Sequence, residues 1–250
     1  MPRILTLMGS GENSPVMVTP HQKIVKRFSK DAVRINLDTP YGFQENADEL
    51  TKKIQSYFEV NVGAPISEVQ LRLTDSRTEL IDQADWVFSG PGSPTYALRV
   101  WKATGASEAL HRLIERGAVV MASAAAMTLG SKVMPVYEMY KAGEDPYWLE
   151  GINLLQAATG IDAAVVAHYN NTQGGTHDTR FCFIGEKRMQ ILESQLGNSA
   201  ILGIDEHTGI TFDLEAGTAE VYGKGVVTLK RGDEVREISP KEIVKTASLI

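Results

Sequence analysis

Five short, largely apolar runs punctuate the chain, each stopped by glycine, proline or a small polar residue. They are Ile4–Met8, Ala84–Ser89, Ala118–Ala122, Ala163–Ala167 and Ala200–Ile204. Short runs with so little polar alternation suit strands buried on both faces, as in parallel sheets covered by helices. Helical spacing fills the gaps between them. Ala47, Leu50, Ile54 and Phe58 predict a helix over Asn46–Phe58. Tyr96–Arg116 predicts one or two helices broken near Gly105, with Gly117 as a C-terminal cap. Ala32–Leu37 and Val69–Leu73 are further strands, and Lys187–Leu196 a further helix. Pro135–Gly151, rich in Tyr, Trp, Pro and Gly, reads as loop and short helix near the surface.

From Thr208 the pattern changes to short strands at Gly209–Phe212, Thr218–Val221, Gly225–Leu229 and Val235–Ile238. The expectation is therefore an α/β fold: a mainly parallel sheet flanked by helices in three layers, with a C-terminal β meander. No linker sets the tail apart, so residues 1–250 are expected to form a single domain.

Composition narrows the function classes. A net charge of -6 argues against a nucleic-acid partner, which needs a basic stripe to meet phosphates. The one cysteine, Cys182, permits neither an intramolecular disulfide nor a thiolate metal cluster, and fits a cytoplasmic protein. The apolar run before Gly9 is too short for a signal peptide or a membrane span, and no later segment spans a membrane. No metal-ligand spacing stands out, and no cofactor motif is present.

Chemistry concentrates where strands end. Ala118–Ala122 runs into Ser123, and a helix-friendly Ala-rich segment starts directly after it. A serine on such a sharp strand-to-helix turn presents its Oγ, and its neighbours must be small, as Ala122, Ala124 and Ala125 are. The following helix start adds free N–H groups. Read alone, Ser123 would be an N-cap. A second strand ends in Ser89-Gly-Pro-Gly-Ser-Pro94, where Gly92 N–H could join Ala124 N–H at a developing oxyanion. A plain strand-to-helix turn with Pro94 at the helix start explains that segment equally well.

His168 follows the strand Ala163–Ala167 and is expected at the same sheet edge as Ser123, in reach as a general base. His177 and His207 are rivals for that role, whereas His21 and His111 read as helix-surface residues. Either Asp205 or Glu206, past Ile204, could orient the imidazole.

Taken together these segments resemble the serine peptidase family of dipeptidase E and cyanophycinase (peptidase S51), built on a class I glutamine-amidotransferase-like fold. Ser89–Ser93 resembles its glycine-rich turn, and Met121-Ala-Ser-Ala-Ala-Ala126 its serine elbow. Ala167-His-Tyr169 resembles its base motif, and Ile204-Asp-Glu-His-Thr208 its acid segment. Gly9-Ser-Gly-Glu12 is similar to the turn after its first strand, and Asp178-Thr-Arg180 with Gly185–Met189 to the segment after its base. Met121, Ala125 and Pro91 stand where that family has glycines.

The resemblance implies a Ser123–His168–Glu206 triad cleaving small aspartyl or β-aspartyl peptides, an oxyanion site at Gly92 and Ala124, and no cofactor. It leads to Arg180, with Ser93, as the substrate-binding candidates, since a guanidinium grips carboxylates; a surface ion pair with Asp178 or Glu186 is the other reading of Arg180. An esterase, or a non-catalytic binding protein on the same fold, are the alternatives. A glutamine amidotransferase would need cysteine at position 123 and is set aside. The sequence leaves a homodimer open.

Overall fold

The computed structural model describes all 250 residues. In chain order the strands are β1 (Ile4–Met8), β2 (Arg34–Leu37), β3 (Ser67–Val69), β4 (Trp86–Ser89), β5 (Ala118–Ala122), β6 (Lys132–Val133), β7 (Leu149–Glu150), β8 (Ala163–Val166), β9 (Ala200–Ile204), β10 (Thr208–Asp213), β11 (Thr218–Gly223), β12 (Val227–Arg231), β13 (Glu234–Ile238) and β14 (Ile243–Lys245). The central sheet runs β14-β11-β10-β1-β5-β4-β2-β3, parallel from β1 to β3 and antiparallel from β1 outward to β14. A second sheet, β13-β12-β9-β8, pairs β8 with β9 in parallel and the others antiparallel. The expected mainly parallel sheet with C-terminal antiparallel strands is thus present, but the tail is shared between the two sheets: β10, β11 and β14 extend the first, and β12 and β13 the second.

Alternation on the strands accounts for the burial on both faces. Leu5, Leu7, Val119 and Met121 enter one core, with Trp101 and Leu110 of the helices Pro94–Thr104 and Ala106–Ile114. Ile4, Met8, Ala118, Val120 and Ala122 enter another on the opposite face, under Met17 and Phe58. Each face is apolar because each is covered by helices.

Several local expectations shift for physical reasons. The helix expected to end at Phe58 continues as a π-helical segment to Val62 and stops at Gly63, whose φ of 77° is left-handed. The strand expected over Val69–Leu73 ends at Val69. Beyond it Arg72 turns back to the fully buried Asp38 through two hydrogen bonds of 2.8 and 2.6 Å. The left-handed break between the paired helices falls at Gly105 (φ 81°). Gly117 is not a left-handed cap; a Cβ there would lie 2.4 Å from the Asp85 carbonyl oxygen, so its smallness serves close approach. Pro135–Gly151 is less superficial than expected, because Val136 and Met139 of its short helix are buried.

His21 is also not a surface residue. It is fully buried against Phe58 and Phe88, and its Nε2 donates to the Glu12 carbonyl at 3.0 Å. Burial lowers its pKa to about 4 from an ordinary 6.5. For a basic group with a depressed folded pKa, the unfolded chain takes up the proton first. Its contribution is therefore neutral above about pH 6.5 and destabilising as the pH falls toward 4, by at most about 3 kcal/mol. His21→Gln is expected to flatten this part of the unfolding free energy against pH. Equal slopes for variant and parent between pH 6.5 and 4 would rule this linkage out.

Candidate active site

The carboxyl ends of β1, β4 and β5 in the first sheet meet those of β8 and β9 in the second. Ser123 is the single residue between β5 and the helix Ala124–Thr128. Its backbone lies at φ 50°, ψ -119°, a strained conformation for a residue with a side chain. The strain is held by Ser123 N–H donating to the Met8 carbonyl at 2.9 Å. Its hydroxyl caps no helix N–H. Oγ instead lies 3.0 Å from His168 Nε2. The positive φ sits on the serine itself and not on Met121 or Ala125, which explains why neither needs to be glycine. Both are fully buried, in the same core.

His168 follows β8 in a left-handed conformation (φ 48°). Its Nδ1 lies 3.0 Å from Glu206 Oε1. With a carboxylate at Nδ1, that nitrogen carries the proton and Nε2 is the acceptor facing Ser123. Glu206 lies on the three-residue link Asp205–His207 between β9 and β10, where the chain crosses from the second sheet to the first. Burial alone would raise its carboxyl. Hydrogen bonds from His168 and from Asn171 Nδ2 (2.7 Å) outweigh burial and hold it below the ordinary range. Asn170 Oδ1 accepts from the Glu206 N–H at 2.8 Å, so two consecutive asparagines fix this acid.

Asp205, the alternative acid, is engaged elsewhere: its Oδ2 accepts from Val226 N–H at 2.9 Å. Of the rival bases, His177 is exposed, and His207 packs its ring against Gly11 with Nδ1 buried and unpartnered.

Gly92 has φ 140°, and a Cβ on it would come 1.9 Å from the Pro40 carbonyl oxygen. The N–H groups of Gly92 and Ala124 have no acceptor within the protein. Both residues line, with Ser123 and His168, a cavity of about 360 Å³. Tyr137, Tyr140 and Phe183 supply much of its wall, and the Lys141 ammonium sits 4.6 Å from the Tyr140 ring centroid without an ion pair. Cys182 also faces the cavity, but burial pushes its thiol up to about 12, which keeps it protonated and a poor nucleophile.

Two expected substrate contacts do not form part of this wall. Arg180 is exposed and gripped by Asp178 at 2.8 and 3.0 Å and by Glu186 at 3.0 Å, so the ion-pair reading describes it. The Ser93 hydroxyl accepts from Tyr96 N–H at 3.1 Å and caps the helix Pro94–Thr104. Lys141 and Asn171 escaped sequence reasoning. Lysine among tyrosines and paired asparagines in a loop carry no local signal of what they face.

A larger cavity of about 480 Å³ lies elsewhere, between the helix Pro15–Val25 and β10–β11. The ion pairs Lys23–Glu220 and Arg27–Asp213 cross it, and no serine, cysteine or histidine lines it. No three His, Cys, Asp or Glu side chains stand together as a metal site. No helix is long and apolar enough to cross a membrane.

The turn at Gly92 generates a direct test. Gly92→Ala is expected to cost about 2 kcal/mol or more, since the methyl meets backbone in a conformation suited to glycine. Urea denaturation reads this; an unchanged midpoint would mean that the turn relaxes freely away from Pro40.

Comparison with known proteins places the chain, by its sequence, among peptidases. The model of peptidase family S51 matches residues 5–218. A crystal structure of a peptidase from an acI-B1 Actinobacterium superposes with a TM-score of 0.79 at 20% identity, covering 98% of this chain and 97% of the other. A protein from Listeria monocytogenes EGD-e, described as a peptidase E protein, gives a TM-score of 0.55 at 16% identity over 96% of this chain and 100% of the other. The curated proteins give no match.

Proposed function

The chain belongs to peptidase family S51, and from that membership we propose that it is a serine peptidase of short peptides working through Ser123, His168 and Glu206. The observation that carries the reading is the unbroken relay Ser123 Oγ–His168 Nε2 and His168 Nδ1–Glu206 Oε1, 3.0 Å at each step.

In this reading Ser123 Oγ attacks the peptide carbonyl carbon as its proton passes to His168 Nε2. Glu206 stabilises the resulting imidazolium. The carbonyl oxygen becomes an oxyanion and takes the two N–H donors of Gly92 and Ala124, each worth about 3 kcal/mol in such sites. Collapse breaks the C–N bond, and His168 returns its proton to the leaving amine. Water then repeats the sequence in reverse on the acyl-serine, releasing the acid and restoring Ser123. Ser123, His168 and Glu206 follow three different strands, so a displacement of any one opens the relay.

The aspartyl preference that the resemblance implies needs a cation at the acyl side chain. Arg180 is unsuited to that role, being held by two carboxylates. Lys141 is the lysine or arginine lining the cavity, and it is unpaired. Our reading therefore assigns the acyl carboxylate to Lys141. The alternative of a non-catalytic binding protein rested on the missing glycines at 91, 121 and 125, and the backbone at 121 and 125 gives it no support.

Incubation with a small fluorophosphonate followed by peptide mass spectrometry is expected to label Ser123, with labelling absent in Ser123→Ala and strongly reduced in His168→Ala. Hydrolysis of aspartyl dipeptides is expected to fall by about 10³-fold or more in Ser123→Ala. Labelling confined to another residue would overturn the assignment. Asn171→Ala removes one donor to Glu206 and is expected to lower kcat about tenfold, the scale of one hydrogen bond to a charged group. Unchanged kcat in that variant would show that Asn170 holds the acid by itself.

A further inference from the structure

A third concavity, of about 510 Å³, adjoins the cavity at Ser123. Tyr137 is common to both, and Ser93 and Thr95 on its wall follow directly from Gly92 of the oxyanion turn. Its rim carries large rings that face water: Phe43 is 53% exposed and Tyr137 44% exposed. Phe43 packs on Tyr96 at 4.9 Å between centroids. The Arg99 guanidinium lies 5.3 Å from the Tyr96 ring centroid and makes neither an ion pair nor a hydrogen bond.

Most other arginines of this chain are engaged by a carboxylate or by main-chain carbonyls. Arg99 stands apart. Stacking on a ring orients a guanidinium while leaving its N–H edge free, and that edge matches a carboxylate in two-point contact. Glu138, in the same groove, forms no ion pair with Arg99; its Oε2 accepts from Thr95 Oγ1 at 3.0 Å.

We propose that this groove binds the leaving-side residue of the substrate, with Arg99 gripping its free terminal carboxylate and the Phe43, Tyr96 and Tyr137 rings receiving an apolar or aromatic side chain. The inference rests on the Ser123 reading above and extends it. In an α-linked peptide the terminal carboxylate always lies on the leaving side of the bond that is cut. A cation in the groove that adjoins the oxyanion turn therefore selects substrates that end there, which makes the enzyme a dipeptidase by recognition of the far end. Glu138 adds a second restriction: a leaving residue with an acidic side chain would meet a fixed carboxylate and be disfavoured.

The test compares aspartyl-phenylalanine with its carboxyl-terminal amide. For the parent enzyme the amide is expected to show a KM about five- to tenfold higher with kcat little changed, the scale of one partly exposed charge contact. In Arg99→Gln the two substrates are expected to converge. Calorimetry with Ser123→Ala reads the same preference as binding, without turnover. Equal handling of acid and amide by the parent, an undiminished preference in Arg99→Gln, or no binding of either peptide to Ser123→Ala would each overturn the groove assignment. Carboxylate-dependent binding without any hydrolysis by the parent would keep the groove and overturn the serine-peptidase reading instead.

Discussion

The arrangement depends on one close approach of backbone to backbone. Gly9, just past β1, lies so near the Asp205–His207 link that a Cβ on it would come 2.2 Å from the Asp205 carbonyl oxygen and 2.4 Å from that of Ile204. Gly9 N–H donates to Thr208 O at 2.9 Å, and Ser10 Oγ accepts from His207 N–H at 3.2 Å. This contact ties the first sheet to the stretch of chain that leaves the second. Glu206 sits on that stretch, so the geometry of the acid is set by the junction of the sheets rather than by either sheet alone. A glycine is required there for closeness, not for an unusual φ.

The same junction explains why strain collects at the site. Ser123, His168 and His207 all have left-handed φ values between 48° and 54°. Ser123 and His168 sit where a strand has just stopped and the chain must turn, and His207 sits where the next strand, β10, begins. Such conformations persist only when surrounding bonds over-determine them. Here those bonds are Ser123 N–H to Met8 O, Tyr169 N–H to Ile204 O, and Glu206 N–H to Asn170 Oδ1. The hydrogen bonds that hold the turns also aim the side chains. Electrostatics follow the same plan: Glu206 is kept ionised by two donors, while the deeply buried Cys182 is kept protonated.

Much of the fold was legible in the residues. The apolar runs became strands almost as read, and Gly105 broke the paired helices where expected, because burial on both faces and backbone freedom are local properties of a segment. The meeting of Ser123, His168 and Glu206 was legible for a related reason: Ser123 directly follows a strand, His168 and Glu206 stand two residues past theirs, and residues after parallel strands gather at one edge. Arg180 misled because its partners Asp178 and Glu186 are as near in sequence as a substrate would be in space. His21 misled because helical spacing says which residues share a face, and the covering of that face by Phe58 and Phe88 comes from distant segments.

By itself the sequence determined where most of the buried strands run and which side chains follow them. Only the tertiary structure decided which of the presented groups meet. The division of the C-terminal strands between two sheets, the contact of Glu206 with His168, the support from Asn170 and Asn171, and the facing of Lys141 and Arg99 into adjoining cavities all depend on contacts between segments far apart in the chain. Strand and turn preferences act over a few residues, whereas those contacts are settled by how whole layers pack and by which backbones can approach without a Cβ between them.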